Sequence, residues 1–562
     1  MKTGFGITEG SVSGNAGWRA RQWLNVFLLL SAVMNAALFR AQAAGTVTID
    51  GTQTYQVIDG FGVNANSQIW SNSALQPVVD ALINQAGLTQ FRVIIGNANW
   101  EATNDNSDPD SMNWAYYNTV YTEPRFQNLW AMMSYLNQRG ISNGLVPKVS
   151  GPAPVWMGGL SLKAGLEDEY AETVASMLYY ARYTNGLQFT EVQPDNEPDQ
   201  SESGVEMSGS SQYVTVLHDL ALQLNNNGMS DVRFSAPDLA ITDTSWMTAI
   251  MNDPLVMGKI ANFDIHAYEG GGGNQSDVYS FIQQSPYPAT HLWASEFNVW
   301  CSNCENGVSG DNSWGFAQGT AGWLLYLLNN GVSAGMVFEA YDSLYAGYDT
   351  STGQSTAPTW SYWGLFAVDD INATPFTFTP RKGFYTVAQI ALYVRPGAQR
   401  IGVNNSGSPL TVLAFYNTNN AQFTITGVNS NSTASTLSCS LTGLPNIPGL
   451  NFIYTTSSTN LCNGGYVPVT NGSFSVVVPA SCVFTLTYSN ASPYFLPPVV
   501  QNGNILHSLV GTPGCTYQIT TSSDLVYWTT LTNIVATNNV TQFTDTIVNS
   551  SPQLYYRAML VQ

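Results

Sequence analysis

The sequence is poor in charged side chains, and basic ones are the scarcest. Only 10% of its residues are Asp, Glu, Lys or Arg, where about 25% is usual. Seventeen Lys and Arg stand against thirty-seven Asp and Glu, giving a net charge of −20. Such a charge repels phosphate backbones and anionic membranes. We therefore expect no nucleic acid partner and no membrane contact beyond an export signal.

Histidine is also rare, and its spacing does not suggest a metal site. The four histidines are His218, His266, His291 and His507. None is spaced from another as in the His-x-x-x-His pairs that hold zinc on a helix. We expect neither a metal nor an organic cofactor.

The N-terminus carries the features of an export signal. Arg19 and Arg21 precede an apolar run over residues 23–34, and Ala41-Gln-Ala43 offers a small-x-small cleavage site. We predict that residues 1–43 export the protein from a bacterial cytoplasm, to the periplasm, the cell surface or the medium. Whether the segment is cleaved or stays as an anchor is left open.

Cysteine is limited to six residues, and only one pair is closely spaced. Cys301 and Cys304 form a Cys-x-x-Cys without a second pair at zinc-finger spacing. Because disulfides persist outside the cytoplasm, this pair predicts a local disulfide that stiffens a loop. The pairing of the other four cysteines is left open.

Short β-branched runs alternate with helical patterns over about 340 residues, after which strand-like runs separated by Asn, Ser and Gly turns take over. The first pattern predicts an α/β fold, a (β/α)8 TIM barrel at this length. The second predicts an antiparallel β-sandwich and a small all-β module. The predicted division is an N-terminal strand in 44–56 that joins the sandwich, a barrel over 57–395, a sandwich over 396–490, a linker over 491–498 and a terminal module over 499–562.

Two glutamates follow apolar runs of the predicted barrel. Glu197 lies in Asn-Glu-Pro after one strand, and Glu296 ends the run His-Leu-Trp-Ala-Ser-Glu. They are 99 positions apart, which equals three βα units of thirty-three residues. This spacing predicts that the two carboxylates lie at the ends of strands four and seven and converge on the barrel mouth.

Two converging carboxylates suit the cleavage of a glycosidic bond. One donates a proton to the leaving oxygen, and the other attacks the anomeric carbon. A nearby cation keeps one of them ionised, and Arg92 on an early strand is the candidate. Glu197 and Glu296 are therefore the predicted catalytic residues.

The order of these motifs resembles clan A glycoside hydrolases, and family 30 in particular. The resemblance covers about residues 46–490. It rests on Asn196-Glu-Pro, on Trp293-Ala-Ser-Glu296 and on the segments 58–62, 91–96, 150–157, 380–389, 394–401 and 474–479. Val63, Gly158 and the run Phe338-Glu339-Ala-Tyr341 depart from the family pattern, which leaves the substrate open. Glu339 is a third acid near the predicted site.

The resemblance also implies roles for individual residues. Glu197 would be the acid/base and Glu296 the nucleophile of a retaining reaction. Asn196 would bind the sugar 2-hydroxyl. His266 and Tyr268 would line the site, and Trp156 would form its floor. The weaker similarity of the terminal module is to small fibronectin-like domains of exported bacterial proteins.

Tryptophans cluster on the predicted loops at the barrel mouth, where they suit stacking on sugar rings. The five are Trp70, Trp100, Trp114, Trp300 and Trp314, and we select Trp100 and Trp300 as substrate contacts. The sequence thus predicts a secreted, monomeric, endo-acting β-glycanase whose partner is a neutral carbohydrate polymer or oligosaccharide. Exo action remains open, favoured if the loop over 105–122 closes one end of the cleft. A non-catalytic carbohydrate-binding protein is the alternative from another class.

Overall fold

The computed structural model describes residues 46–561 except for 97–99, 202, 271–274, 303, 305–309, 349–354, 490–492, 502–503, 512–514, 537–539 and 547–552. The predicted export signal over residues 1–43 lies outside this range. Among the described helices, none is long and apolar enough to cross a bilayer.

Eight parallel strands form a closed barrel, as the sequence predicts. Their bounds are β2 Gly60–Asn66, β3 Gln90–Gly96, β4 Leu145–Ser150, β5 Glu191–Val192, β6 Arg233–Leu239, β7 Ile260–Glu269, β8 His291–Val299 and β9 Val332–Val337. The order in the sheet is β4-β3-β2-β9-β8-β7-β6-β5. A parallel bridge between Lys148 and Gln193 closes it. Every residue of β2, β4 and β9 is buried, as expected of a parallel sheet covered on its outer face.

Helices cover the outside of the barrel. The described helices are α1 Asn72–Asn84, α2 Trp114–Val120, α3 Pro124–Gln138, α4 Glu167–Tyr179, α5 Ser210–Asn226, α6 Thr244–Met251, α7 Pro254–Lys259, α8 Gln275–Gln284, α9 Trp314–Asn329 and α10 Lys382–Ala391, with a 3-10 turn at Val155–Met157 and a π-turn at Tyr180–Thr184. The apolar faces of α1, α3, α4 and α5 pack into the same core as the strands. This leaves the carboxyl ends of the strands as the open face of the barrel.

A second sheet of nine strands joins the chain before and after the barrel. Its strands are β1 Thr46–Val57, β14 Gln399–Asn404, β15 Thr411–Asn417, β16 Gln422–Asn429, β17 Ser435–Thr442, β18 Gly449–Thr456, β19 Cys462–Pro468, β20 Ser473–Val478 and β21 Cys482–Ser489. β1 pairs antiparallel with β14 and parallel with β17, so the sheet is mixed where the sequence predicted antiparallel pairing. Thr485 Oγ1 donates to the carbonyl of Gln389 in α10 at 2.6 Å, which attaches this sheet to the barrel.

Shorter strands complete the fold. Two hairpins lie between the barrel and α10: β10 Ser343–Tyr348 with β11 Ser355–Ser361, and β12 Phe366–Val368 with β13 Phe378–Pro380. The terminal all-β part consists of β22 Tyr494–Phe495, β23 Val499–Gln501, β24 Asn504–Val510, β25 Thr516–Ser522, β26 Thr529–Val535, β27 Val540–Thr546 and β28 Tyr555–Val561. Its core contains Leu509, Tyr517 and Ile519.

One disulfide joins Cys301 to Cys304, with the Cα atoms 5.4 Å apart, as the sequence predicts. The other four cysteines are all described, and they are unpaired.

Candidate active site

The two predicted catalytic glutamates lie at the open end of the barrel and share one neighbour. Glu197 follows β5, the fourth barrel strand, and Glu296 lies in β8, the seventh. His266 Nδ1 is 2.7 Å from Glu197 Oε1 and 3.6 Å from Glu296 Oε2. The sum of these distances, 6.3 Å, is therefore the upper limit for the separation of those two oxygens.

Glu296 is buried among three hydrogen-bond donors. Its Oε1 accepts bonds from Arg92 Nη1 and from Lys148 Nζ, the latter at 2.8 Å. Its Oε2 accepts a bond from the Tyr268 hydroxyl at 2.9 Å. Burial alone would raise the pKa of Glu296, but the positive charges of His266, Lys148 and Arg92 outweigh it and hold the pKa well below its usual value. The cations around Glu296 therefore keep this carboxylate ionised.

Arg92 holds several site residues together from the buried interior. The side chain is fully buried, and its Nη1 donates to Asn64 Oδ1 at 2.6 Å. Nη2 donates to Asn196 Oδ1 at 3.0 Å and to Asp238, while Nε donates to Gln193. A guanidinium presents its donors in a fixed fork, so Arg92 fixes the relative positions of strands β2, β3, β6 and β8.

His266 is held as a cation between acidic groups. Burial lowers the pKa of an imidazole, but the charges of Glu296, Asp238 and Glu197 raise the pKa of His266 to about 10. Its Nε2 lies 3.4 Å from Asp238 Oδ1. The ring therefore donates its Nδ1 proton toward Glu197 at neutral pH.

Asp238 and Asp264 form a buried pair beneath His266. Burial raises the pKa of both carboxyl groups. For Asp238 the charges of Arg92, His266 and Lys148 reverse this and lower the pKa, whereas the negative charge of Asp238 raises the pKa of Asp264 further. Asp238 is thus the more acidic member of the pair, and its negative charge balances the buried cations around it.

Glu197 and Asp238 both have left-handed backbone. Their φ angles are +50° and +59°, a region that costs a residue with a side chain roughly 1–3 kcal/mol. The N–H of Glu197 donates to the carbonyl of Asp238 at 3.0 Å. The Glu197 side chain is held by Gln200 Nε2 at 2.8 Å and by the hydroxyl of Ser203. Strain at this position is thus balanced by local hydrogen bonds.

Asn196 and Trp156 differ in how they are connected to this centre. The amide of Asn196 accepts from Arg92 and donates to Ser203 Oγ at 3.0 Å. Trp156 stands on the 3-10 turn after β4, where its Nε1 donates to the carbonyl of Glu101 at 2.8 Å. Arg92 thus brings Asn196 into the network around Glu296, and no described contact places Trp156 there.

The tryptophans predicted on the mouth loops differ in exposure. Trp300 is 54% exposed and stands edge-on to Tyr268, with the ring centres 5.8 Å apart. Trp100 is only 2% exposed and packs against Phe126. The other three serve packing: Trp70 is buried, Trp114 lies on Tyr179 and Trp314 donates to Ser481 Oγ. We therefore keep Trp300 and leave Trp100 out of the surfaces that a substrate can reach.

Glu339 is buried next to Phe338 and behind the aromatic group of Tyr268, Trp300 and Trp363. Tyr345 and Ser361 donate to its carboxyl oxygens, both at 2.7 Å. Burial raises the pKa of Glu339 to about 8, so the group is largely neutral near pH 7. It is a structural acid rather than a second nucleophile.

Lys148, Gln193 and Asp238 belong to the site but are not identified from the sequence. Lys148 lies in the apolar run Leu-Val-Pro-Lys-Val-Ser. A lysine within an apolar strand of a lysine-poor chain is the feature by which the sequence could have identified it as a site residue. Asp238 directly follows Pro237, and proline and aspartate are both residues that favour turns over strands. Among the described residues, no group of three His, Cys, Asp or Glu side chains is arranged to hold a metal ion.

Comparison with known proteins gives structural matches but no sequence matches. No protein-family model matches the chain, and no curated protein matches it. A family 30 endoxylanase from Clostridium papyrosolvens C71 superposes with a TM-score of 0.58 at 18% identity, covering 79% of this chain and 100% of the endoxylanase. The family 30 subfamily 8 xylanase of Clostridium acetobutylicum gives 0.59 at 17%, with 79% and 99% coverage. An endo-β1,6-glucanase gives 0.55 at 16%, with 80% and 94% coverage.

These similarities establish the fold. The chain has the TIM barrel with attached β domain that family 30 glycoside hydrolases share, as the resemblance predicted. At such low identity the activity is a separate question, which depends on the site.

Proposed function

We propose that this protein is a retaining glycoside hydrolase that cleaves β-glycosidic bonds. The observation that carries the proposal is that Glu197 and Glu296 both contact Nδ1 of His266, so that the two oxygens in these contacts are at most 6.3 Å apart. Retaining enzymes have carboxyl groups about 5–5.5 Å apart, and inverting enzymes about 6.5–9.5 Å. The limit favours retention.

The proposed reaction has two displacements. Glu197 gives its proton to the glycosidic oxygen while Glu296 attacks the anomeric carbon, the C–O bond breaks and the leaving sugar departs as an alcohol. A water molecule then attacks the same carbon as Glu197 takes its proton, which releases the second sugar and restores both glutamates.

The surroundings of each glutamate suit its proposed role. Arg92 and Lys148 keep Glu296 ionised, and the hydroxyl of Tyr268 orients it. Burial and the charge of Glu296 raise the pKa of Tyr268 well above its usual value, so the phenol keeps its proton. Glu197 faces the imidazolium of His266, whose positive charge stabilises the carboxylate that Glu197 becomes after it has given up its proton.

We further propose endo action on a neutral β-linked polysaccharide. The segment over 105–122, which could have closed the cleft, packs on the outer helices: Gln223 Nε2 in α5 donates to the carbonyl of Pro109 at 2.6 Å, and Trp114 lies 4.8 Å from Tyr179. The exposed Trp300 beside Tyr268 suits stacking on a sugar beyond the reacting one. Export from a bacterial cell and action as a monomer complete the proposal.

The test is a release assay for reducing ends on xylans, galactans and β-1,3-, β-1,4- and β-1,6-glucans. We expect one polymer to be cut into mixed oligosaccharides, as endo action requires. Glu296→Ala should lose at least about 10³-fold in rate, and Glu197→Ala should retain turnover only on substrates with excellent leaving groups. Glu123→Gln, at an exposed surface pair with Arg125, is the control.

Two outcomes would contradict the proposal. Undiminished hydrolysis in both glutamate variants would place the chemistry elsewhere. Binding of a polymer by the wild-type protein without any hydrolysis would favour the carbohydrate-binding alternative.

A further inference from the structure

The side chain of Asp199 connects the backbone segments that follow Glu197 and Asp238, the two residues with left-handed backbone. Asp199 lies two residues after Glu197, and its two carboxylate oxygens accept the N–H groups of Ala240 and Ile241, each at 2.9 Å. These amides lie two and three residues after Asp238. Asp199 therefore connects the loop after β5 to the loop after β6 immediately beyond both left-handed positions.

This connection constrains the residues that follow Glu197 in the loop after β5. The N–H of Glu197 reaches the carbonyl of Asp238, but a single bond fixes a point rather than a direction. Left-handed backbone at a residue with a side chain persists only where its surroundings over-determine it. The hydrogen bonds from two backbone N–H groups to Asp199 add a second point of attachment. Together the two points fix the direction in which the chain leaves Glu197 relative to β6.

The other bonds near Glu197 do not reach the loop after β6. Gln200 binds the Glu197 carboxylate, and the N–H of Met207 donates to the carbonyl of Pro198 at 2.8 Å, so both bonds lie within the loop. The N–H of Gly151 donates to the carbonyl of Ser203 at 2.9 Å and ties the far end of the loop to β4. Gln193 and Arg92 join the residues before Glu197 to Asp238 in β6. Among the described side chains, Asp199 is the one that joins the residues after Glu197 to the loop after β6.

We propose that Asp199 is a positioning residue for proton transfer by Glu197. The inference rests on the proposed function and goes one step further, because it assigns Asp199 a role in proton transfer by Glu197 and none in the attack by Glu296. Glu296 is held from β3, β4 and β7 by Arg92, Lys148 and Tyr268. Loss of Asp199 therefore misdirects the acid and leaves the nucleophile in place.

The test separates proton transfer from nucleophilic attack by comparing two substrates whose leaving groups differ in their need for protonation. The probes are the 2,4-dinitrophenyl and phenyl β-glycosides of the disaccharide released from the preferred polymer. Dinitrophenolate departs without protonation, whereas phenolate departs faster when an acid protonates it. The value of kcat/KM reports the glycosylation step. For Asp199→Ala we expect a 10- to 100-fold loss on the phenyl glycoside and less than a threefold loss on the dinitrophenyl glycoside.

Asp243→Ala is the matched control. Asp243 lies on the same loop, and its carboxylate accepts the N–H of Ser245 at 2.8 Å at the start of α6. Asp243→Ala thus removes the same kind of bond without touching the link to Glu197, and the ratio of the two kcat/KM values should stay at the wild-type level. Asp199→Asn keeps one acceptor oxygen, so its ratio should fall between wild type and Asp199→Ala. Thermal unfolding shows whether each variant is folded.

The result that overturns the inference is an equal loss on both glycosides, or a ratio for folded Asp199→Asn and Asp199→Ala that matches wild type. Failure of the proposed function looks different: hydrolysis by wild type that survives in Glu296→Ala, or no hydrolysis by wild type at all, removes both the function and this role.

Discussion

Glu172 gives the clearest test of the electrostatics outside the active site. It belongs to a group of four acids, with Glu101 and Asp105 after β3 and Glu169 on the same helix, α4. All but the partly exposed Asp105 are buried. Neither carboxyl oxygen of Glu172 makes a hydrogen bond to a described residue. Burial raises the pKa of Glu172 to about 9, and the negative charges of Asp105, Glu101 and Glu169 add to this effect, while the nearby Tyr117 hydroxyl opposes it in part.

The sign of the pH effect follows from this raised pKa. Below the ordinary pKa of a glutamate, about 4.5, the group is protonated in both the folded and the unfolded chain, and it contributes no pH dependence. Between about 4.5 and about 9 the unfolded chain releases the proton while the folded chain keeps it. The free energy of unfolding therefore falls as pH rises through this window, by at most about 1.4 kcal/mol per pH unit for one group.

If Glu172 keeps its full proton in the folded chain and loses it in the unfolded chain, the free energy of unfolding falls by about 4 kcal/mol between pH 5 and pH 8. On the covering loop, Asn104 is exposed and Asp105 is partly exposed. Solvent therefore screens the cluster, and we expect about half of this value, roughly 2 kcal/mol. Glu172→Gln removes the titration and keeps the shape. The variant should be about 2 kcal/mol more stable than wild type at pH 8 and similar to wild type at pH 5.

The assay is urea unfolding at both pH values, followed by tryptophan fluorescence. Asp168→Asn is the control, because it removes an exposed charge from the first turn of the same helix. The reasoning is refuted if Glu172→Gln is less stable than wild type at pH 8, since the native carboxylate would then be ionised and compensated.

Three further variants test the site. Lys148→Met should lower kcat/KM at least about 10-fold and move the acid limb of the pH profile to higher pH, because Glu296 loses a charge that lowers its pKa; an unmoved limb would contradict this. Tyr268→Phe should lower kcat about 10-fold with little change in KM, since it removes one bond to Glu296; a change in KM alone would argue against it. Trp300→Ala should raise KM for the polymer about fivefold, the value of one stacking contact, and an unchanged KM would place the polymer elsewhere.

The barrel and the meeting of Glu197 with Glu296 at its mouth could be predicted because both depend on periodic features. Each βα unit brings the next strand end to the same face, so the spacing from Glu197 to Glu296 fixes strands four and seven. Strand lengths were less predictable. The run Leu187–Val192 indicates a full strand, but only Glu191–Val192 pairs with β6, because the Asn137 side chain binds the backbone N–H and carbonyl of Gln188.

The residues that the sequence did not reveal act through distant partners. Lys148 and Asp238 are 148 and 58 positions from Glu296, and each has its role only because the barrel closes. Trp100 shows the reverse case, a residue that the sequence analysis selected as a substrate contact but that is buried. A ring on a loop has the same composition signal whether it stacks on sugar or fills a gap, and Trp100 fills a gap.

The most direct test of the mechanism is to trap the sugar on the nucleophile. The protein is incubated with the 2,4-dinitrophenyl 2-deoxy-2-fluoro β-glycoside of its preferred sugar, digested and measured by mass spectrometry. The account predicts one added fluoro-sugar on the peptide that contains Glu296, and none after Glu296→Ala. A label on Glu197 or Glu339, or turnover with inversion and no label, would contradict it.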